Sequence, residues 1–230
     1  PGDHPLTHAA RAAGHTVMRW DDDLLHALRA SREECVLFHG SLGLAHKIAS
    51  RGCWSPGAFC NTEAFSCSAW YASASRWRLN TQYVVSTVQR FVEAPGRETA
   101  PLSLVGGKVF VRPDSALKPF SGRVVPLAGI TAAALDHGFY YDNMDLPVVL
   151  SPYQELGQEW RFVVVGTRVV AGSAYEAEGR QGRCTEISPK VWEFAQEMVS
   201  SREWAPPDPA YILDVVETSG GLRLLELNPF

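Results

Sequence analysis

The sequence predicts a mixed protein: a small α/β layer first, then an α+β region built largely from antiparallel strand pairs. Three observations carry this. From His4 to Glu93, helix-like and strand-like patterns alternate, as in a layer with parallel strands. Ala94–Pro101, with its Pro-Gly and second proline, reads as a linker. Beyond it, apolar strand patterns pair around short Gly-containing turns at Gly166-Thr167 and Ser219–Gly221. The expected domains are therefore residues 1–100 and 101–230.

Taken in order, His4–Ala13 and Asp22–Ala30 are predicted helices, the second opened by acidic residues that favour a helix N-terminus. His15–Trp20 and Cys35–Phe38 are predicted short strands, and His39-Gly40-Ser41 turns into a helix through Ser50. Phe59–Arg78 shows no clean period. Gln82–Glu93 is predicted helical. Lys108–Arg112, Arg123–Pro126 and Pro147–Leu150 read as strands, with a short helix over Thr131–His137. Trp160–Val165 and Arg168–Tyr175 form a hairpin, Pro189–Ser200 a helix, and Ile212–Phe230 a second hairpin.

Composition narrows the class. Hydrophobic residues make up 46% and charged residues 20%, ordinary for a globular protein. A net charge of −4 argues against a broad nucleic-acid or anionic-membrane footprint, leaving a local basic cleft open. No apolar run approaches the ~20 residues that span a bilayer, and no secretory signal is visible. The chain opens on Pro1 rather than Met, so a trimmed or partial N-terminus is expected. Five cysteines without a CxxC pair fit a reducing, cytoplasmic setting. Cys53, Cys60 and Cys67 recur at seven-residue intervals, but zinc ligands come in close pairs, so ordinary thiols are expected.

The chemistry concentrates in the last hairpin. Glu226 and Asn228 are two apart and share a strand face. Asp214 joins that face if the turn holds an odd number of residues, such as Ser219–Gly221. Two carboxylates about 5 Å apart need a cation between them, and Mg²⁺ suits such hard oxygen donors. A plain polar hairpin ended by Asn-Pro has the same pattern. Upstream, Arg112 ends a strand and Lys118 lies in the loop Pro113–Gly122. A forked guanidinium and a point-charge ammonium suit phosphate oxygens, although a solvated surface loop reads the same way. Arg161 alternates with Val163 and Val165, so it needs a partner, either Glu155 or Glu159 or a bound anion. Together these residues describe a nucleotide–metal site, with an adenine edge met by backbone near Val148–Tyr153. There is no GxxxxGK[ST], GxGxxG or HRD/DFG set.

The ordered trio FVRPDSALKPFSG, VVLSPYQELGQEWRFVVVGTRVVAGSAYE and ILDVVETSGGLRLLELNPF resembles an ATP-grasp domain, more narrowly its clade marked by two arginines and one lysine. The resemblance is strong over Leu104–Phe230. It is weaker over Cys35–Asn80, where LFHGSL and FCNTEAFSCSAWY look like the clade's preceding α/β domain. It implies an ATP-grasp fold of two α+β lobes clasping ATP, behind a pre-ATP-grasp-like domain. It implies that Asp214, Glu226 and Asn228 bind Mg²⁺ (or Mn²⁺), and that Arg112, Lys118 and Arg161 bind the phosphates of ATP and act in catalysis. Glu159 then faces the ribose, and Leu150, Ser151 and Tyr153 lie at the adenine hinge. Two departures stand out: DSALKPFSG replaces the usual Gly-rich flap, and the chain stops where relatives continue. The implied activity is that of a carboxylate–amine ligase acting through an acyl phosphate on a small-molecule, peptide or protein substrate. Alternatives are a phosphotransferase on the same site, or a non-catalytic nucleotide-binding or adaptor module. His39 is the one histidine of note.

Overall fold

A computed structural model describes residues 5–20, 35–52, 54–135, 143–175 and 186–230. The predicted helix Asp22–Ala30, as well as Cys53 and Cys184, lie outside them. Ten strands and six α-helices are described. Helix α1 (Pro5–Ala12) buries none of its residues. Strands β1 (Cys35–Leu37) and β2 (Ser55–Gly57) pair in parallel across helix α2 (Leu42–Arg51), as the alternating pattern predicts. Residues 15–20 are not a strand. Trp20 instead sets its ring edge-on to Phe38 and Trp54, at 5.3 and 6.3 Å, so burial of one indole fixes the segment without a ladder.

The remaining chain forms two four-stranded sheets. The first, in the order β3-β6-β4-β5, contains β3 (Val84–Thr87), β4 (Lys108–Pro113), β5 (Arg123–Pro126) and β6 (Pro147–Pro152). The second, in the order β10-β9-β7-β8, contains β7 (Glu159–Val165), β8 (Arg168–Tyr175), β9 (Ala210–Thr218) and β10 (Gly221–Pro229). Every pairing in both is antiparallel.

The predicted helix over Gln82–Glu93 is corrected in its first half. The β-branched run Val84–Thr87 joins the sheet as β3. Helix α4 (Val88–Glu93) starts only where the Thr87 hydroxyl accepts from the Arg90 amide at 3.2 Å. The linker expected over Ala94–Pro101 is also corrected. Pro95 opens a one-turn helix, α5 (Pro95–Glu98), and Glu98 is buried, accepting from the Ser86 hydroxyl at 2.5 Å and from Arg90 at 3.1 Å. Pairing of β3 with β6 thus crosses the division expected at residue 100. The helix predicted over Thr131–His137 is a 3₁₀ turn at Ala132–Leu135, its remainder lying outside the described residues.

A core behind the first sheet gathers Val88, Phe91, Val109, Val111, Val148 and Leu150. A larger one joins the second sheet to helix α6 (Pro189–Ser200) and to residues 65–77, including helix α3 (Cys67–Trp70). That segment, aperiodic in sequence, runs along the free edge of β10. The Leu79 amide donates to the Leu224 carbonyl (2.8 Å), and the Leu224 amide to the Trp77 carbonyl (2.7 Å). Among the described residues no helix is long and apolar enough to cross a membrane.

Candidate functional site

The register of β9 and β10 builds the acidic face. Gly221 pairs with Thr218, so the turn holds two residues rather than the three expected. Left uninterrupted, that register would put Leu225 opposite Asp214 and turn Glu226 to the other face. A β-bulge at Leu225 supplies the missing odd residue, and beyond it Glu226 lies opposite Asp214 and Asn228 opposite Ile212. Asp214, Glu226 and Asn228 share a face, and Asn228 Nδ2 donates to Asp214 Oδ2 at 2.9 Å.

The three cations converge on that face. Arg161 lies directly across from Asp214 on β7 and holds it in a fork, Nε to Oδ1 at 2.8 Å and Nη2 to Oδ2 at 2.7 Å. Asp214 is therefore its forked partner, and Glu159 also feels its charge. Arg112 reaches across from the first sheet and donates Nη2 to Glu226 Oε1 at 2.6 Å. Lys118 Nζ meets the same oxygen at 2.8 Å. Lys118 is the sole non-glycine residue with positive φ (48°) among the described residues. That left-handed turn costs about 1–2 kcal/mol. It is held in a loop whose ammonium returns to the acidic face.

Electrostatics follow from burial. Asp214 is 5% exposed, and its carboxyl is pushed up by burial, with the Arg161 fork opposing. Burial also works to raise Glu226, but Arg112 and Lys118 outweigh it and hold the carboxyl below its usual range. Glu159, half-buried on β7 two residues before Arg161, is raised by burial and then by the nearby Asp214 and Glu226. Arg112, Lys118 and Arg161 thus pair with Asp214 and Glu226, with the third carboxylate, Glu159, close by.

These donors fit a magnesium ion: two carboxylates and an amide oxygen on one rigid strand pair, with room in the shell for phosphate oxygens. No group of three His, Cys, Asp or Glu able to hold a metal occurs among the described residues, so Asn228 would have to complete such a set.

The hinge residues divide. Arg112, Val149 and Val85 share one face of the first sheet, and Phe110 and Ser151 pair on that same face. Leu150 pairs with Val84 and Val111 and points into the core behind the sheet, fully buried. Its side chain is therefore turned away from the Arg112 face, which leaves only its backbone for the expected adenine edge. Ser151 is fully buried, and its hydroxyl has no hydrogen-bond partner among the described residues. Tyr153 is half-exposed beyond the end of β6. His39 lies exposed, its ring 5.5 Å from that of Phe230, two residues past Asn228.

Sequence reasoning missed the residues behind Arg112. Cys67 and Tyr71, both 1% exposed, belong to the aperiodic segment and lie within electrostatic reach of the guanidinium. No local pattern signals a contact between residues so far apart in sequence.

Two four-stranded antiparallel sheets, with Arg112 of one meeting Glu226 of the other, define a class of mixed α/β fold. Residues 63–230 match an ATP-grasp domain family, family 3 of the clade marked by two arginines and one lysine, and the chain belongs to that family. Among solved structures it is similar to the D-cycloserine synthetase DcsG, at 17% identity and TM-score 0.57, covering 97% of this chain and 84% of that one. It is also similar to a RimK domain protein ATP-grasp from Sphaerobacter thermophilus, at 16% identity and TM-score 0.50, covering 92% and 87%. The ATP-grasp ligase PsnB matches at 18% identity and TM-score 0.42 over 72% of this chain, which spans about half (52%) of PsnB. No curated protein matches the chain. The fold is that of ATP-grasp.

Proposed function

We propose that the chain binds Mg·ATP between its two sheets and uses it to activate a substrate carboxylate for attack by an amine. One observation supports this above the others: Arg112 and Lys118 on one side and Arg161 on the other converge on Asp214 and Glu226, so phosphate-binding and metal-binding groups share one face.

In this reading the carboxylates and Asn228 hold Mg²⁺, which when bound supplies positive charge to the phosphate oxygens. Arg112, Lys118 and Arg161 then exchange carboxylate for phosphate partners and orient the terminal phosphoryl group. The substrate carboxylate oxygen attacks phosphorus, the bond to ADP breaks, and an acyl phosphate forms. The amine attacks the acyl carbon and inorganic phosphate leaves, so no protein nucleophile is consumed. Each cation lost from the phosphoryl group costs about 2.7–4 kcal/mol of transition-state stabilisation.

The test is an ADP-release screen over carboxylate and amine pairs with mass detection of products. An amide with stoichiometric ADP and phosphate supports the reading. A stable phosphorylated product overturns it in favour of phosphotransfer.

A further inference from the structure

Residues 113–122, the loop between β4 and β5, carry Lys118 and are tied down at both ends and in the middle. The Asp114 amide donates to the Pro147 carbonyl at 2.9 Å, and Asp114 Oδ1 accepts from the Ser68 amide of helix α3 at 3.0 Å. The Ser115 hydroxyl then accepts from the Leu117 amide (3.2 Å), and the Ser115 carbonyl from the Lys118 amide (3.3 Å). Ala116, 4% exposed, lies in the core of the second sheet with Phe65 and Cys67. Phe120, 5% exposed, lies in the core behind the first sheet. At the far end, a Cβ on Gly122 would stand 2.7 Å from Phe110 Cζ, so the glycine lets that ring lie against the loop backbone.

A lid moves about a few positions that absorb a change of φ and ψ. Here Pro113 and Pro119 fix φ at two positions, and Ala116 and Phe120 anchor the loop in two cores. Arg112 needs no such anchor, since β4 pairs with β6 as far as Pro113. Asp114 is the first residue past that ladder, four before Lys118, and its side chain ties the loop to α3. The Lys118 ammonium then reaches Glu226 Oε1 on the other sheet at 2.8 Å.

We propose that residues 113–122 form a prebuilt phosphate-binding loop with no closing step, and that Asp114 is the positioning residue that aims Lys118 at the nucleotide. The proposal rests on the Mg·ATP reading above.

The experiment measures the Kd for ATP with Mg²⁺ by calorimetry, and the melting temperature, for the parent, Asp114→Ala, Asp114→Asn, Lys118→Ala and the Asp114→Ala, Lys118→Ala double variant. Asp114→Ala should weaken binding about three- to tenfold, the worth of one such hydrogen bond. Asp114→Asn keeps the acceptor oxygen and should stay within about twofold of the parent. In the Lys118→Ala background Asp114→Ala should add nothing, because it acts through Lys118. Additive effects, no rescue by Asn, or a lowered melting temperature with Kd unmoved overturn the role of Asp114. Ser68→Pro removes the donor of the same bond within the first turn of α3, where proline is tolerated, and takes the place of Asp114→Ala if that variant does not fold. Hydrogen exchange of the parent, read by NMR, tests the loop without any substitution. The Leu117 and Lys118 amides should be protected before nucleotide is added; exchange at the free-chain rate until ATP binds overturns the prebuilt loop. Lys118→Ala binding like the parent overturns the nucleotide site at this loop and the proposal together. Weakening by Lys118→Ala with no effect of Asp114→Ala overturns the proposal alone.

Discussion

Replacing Glu226 by Gln should disable Mg²⁺-dependent turnover while improving the binding of ATP without metal. Glu226 Oε1 accepts from both Arg112 (2.6 Å) and Lys118 (2.8 Å), so its charge competes with phosphate for two cations. Gln keeps the acceptor oxygen but turns two charge-assisted bonds into ordinary ones, a loss of about 1 kcal/mol each. Lys118 is 36% exposed, so its share is reduced by solvent screening, and the expected loss of folding stability is about 1–2 kcal/mol. The same quantity is returned to a competing anion. In EDTA, ATP should bind the variant up to about tenfold more tightly than the parent. With Mg²⁺, turnover should fall about 100-fold or more, as a hard ligand is lost from the phosphoryl clamp. Calorimetry with and without metal, chemical denaturation and an ADP-release assay read the three effects. Metal-free ATP binding that is unchanged or weaker would refute the competition between Glu226 and phosphate. Unchanged turnover would refute the site.

Arg161→Met leaves the buried Asp214 without its fork and should cost about 2–3 kcal/mol, below the full value for a buried pair because Arg161 is partly exposed. Asp214 already has its carboxyl raised by burial, so this cost should grow as pH rises through that pKa and shrink below it. Denaturation at pH 4 and pH 8, with Asp214→Asn in the same background as the rescuing change, checks the sign. Glu98 is held below its usual range first by the Ser86 hydroxyl and then by Arg90. Its contribution is present above the ordinary carboxylate range and is lost as pH falls through the lowered pKa. Glu98→Gln should therefore flatten the acid limb of a melting-temperature profile; an unchanged limb counts against that pairing. Deleting Leu225 removes the bulge but returns Glu226 to the place opposite Asp214. Mg·ATP binding should survive within about threefold, reflecting strand adjustment alone. Loss of binding with the fold intact would show that the bulge, and not only its register, shapes the site.

Much of this site is legible because its parts sit on regular elements. Asp214, Glu226, Asn228, Arg112 and Arg161 all lie on strands whose alternation is plain, and helix α6 occupies Pro189–Ser200 as its periodicity predicts. The turn differs from expectation because Gly221, at φ +99°, reads as a third loop residue while it begins β10. The doubled Leu224-Leu225 in an otherwise alternating run is the trace of the bulge, where the apolar parity changes between Leu224 and Leu227. The linker gives way to a helix because Pro95-Gly96 breaks a chain and opens a helix with equal ease; burial of Glu98, a tertiary fact, decides between them. Cys67 and Tyr71 are illegible for a different reason. Their burial rests on packing with Val149 and other residues far off in sequence, which no local period encodes.

In the proposed site a divalent cation and a nucleotide meet at Asp214 and Glu226. Electron paramagnetic resonance of Mn²⁺, titrated with the protein in the presence and absence of ATP, tests this most directly. The predicted result is a bound-ion spectrum that forms strongly only with ATP and is lost in Glu226→Gln and Asp214→Asn. A bound spectrum that persists unchanged in both variants would contradict the site.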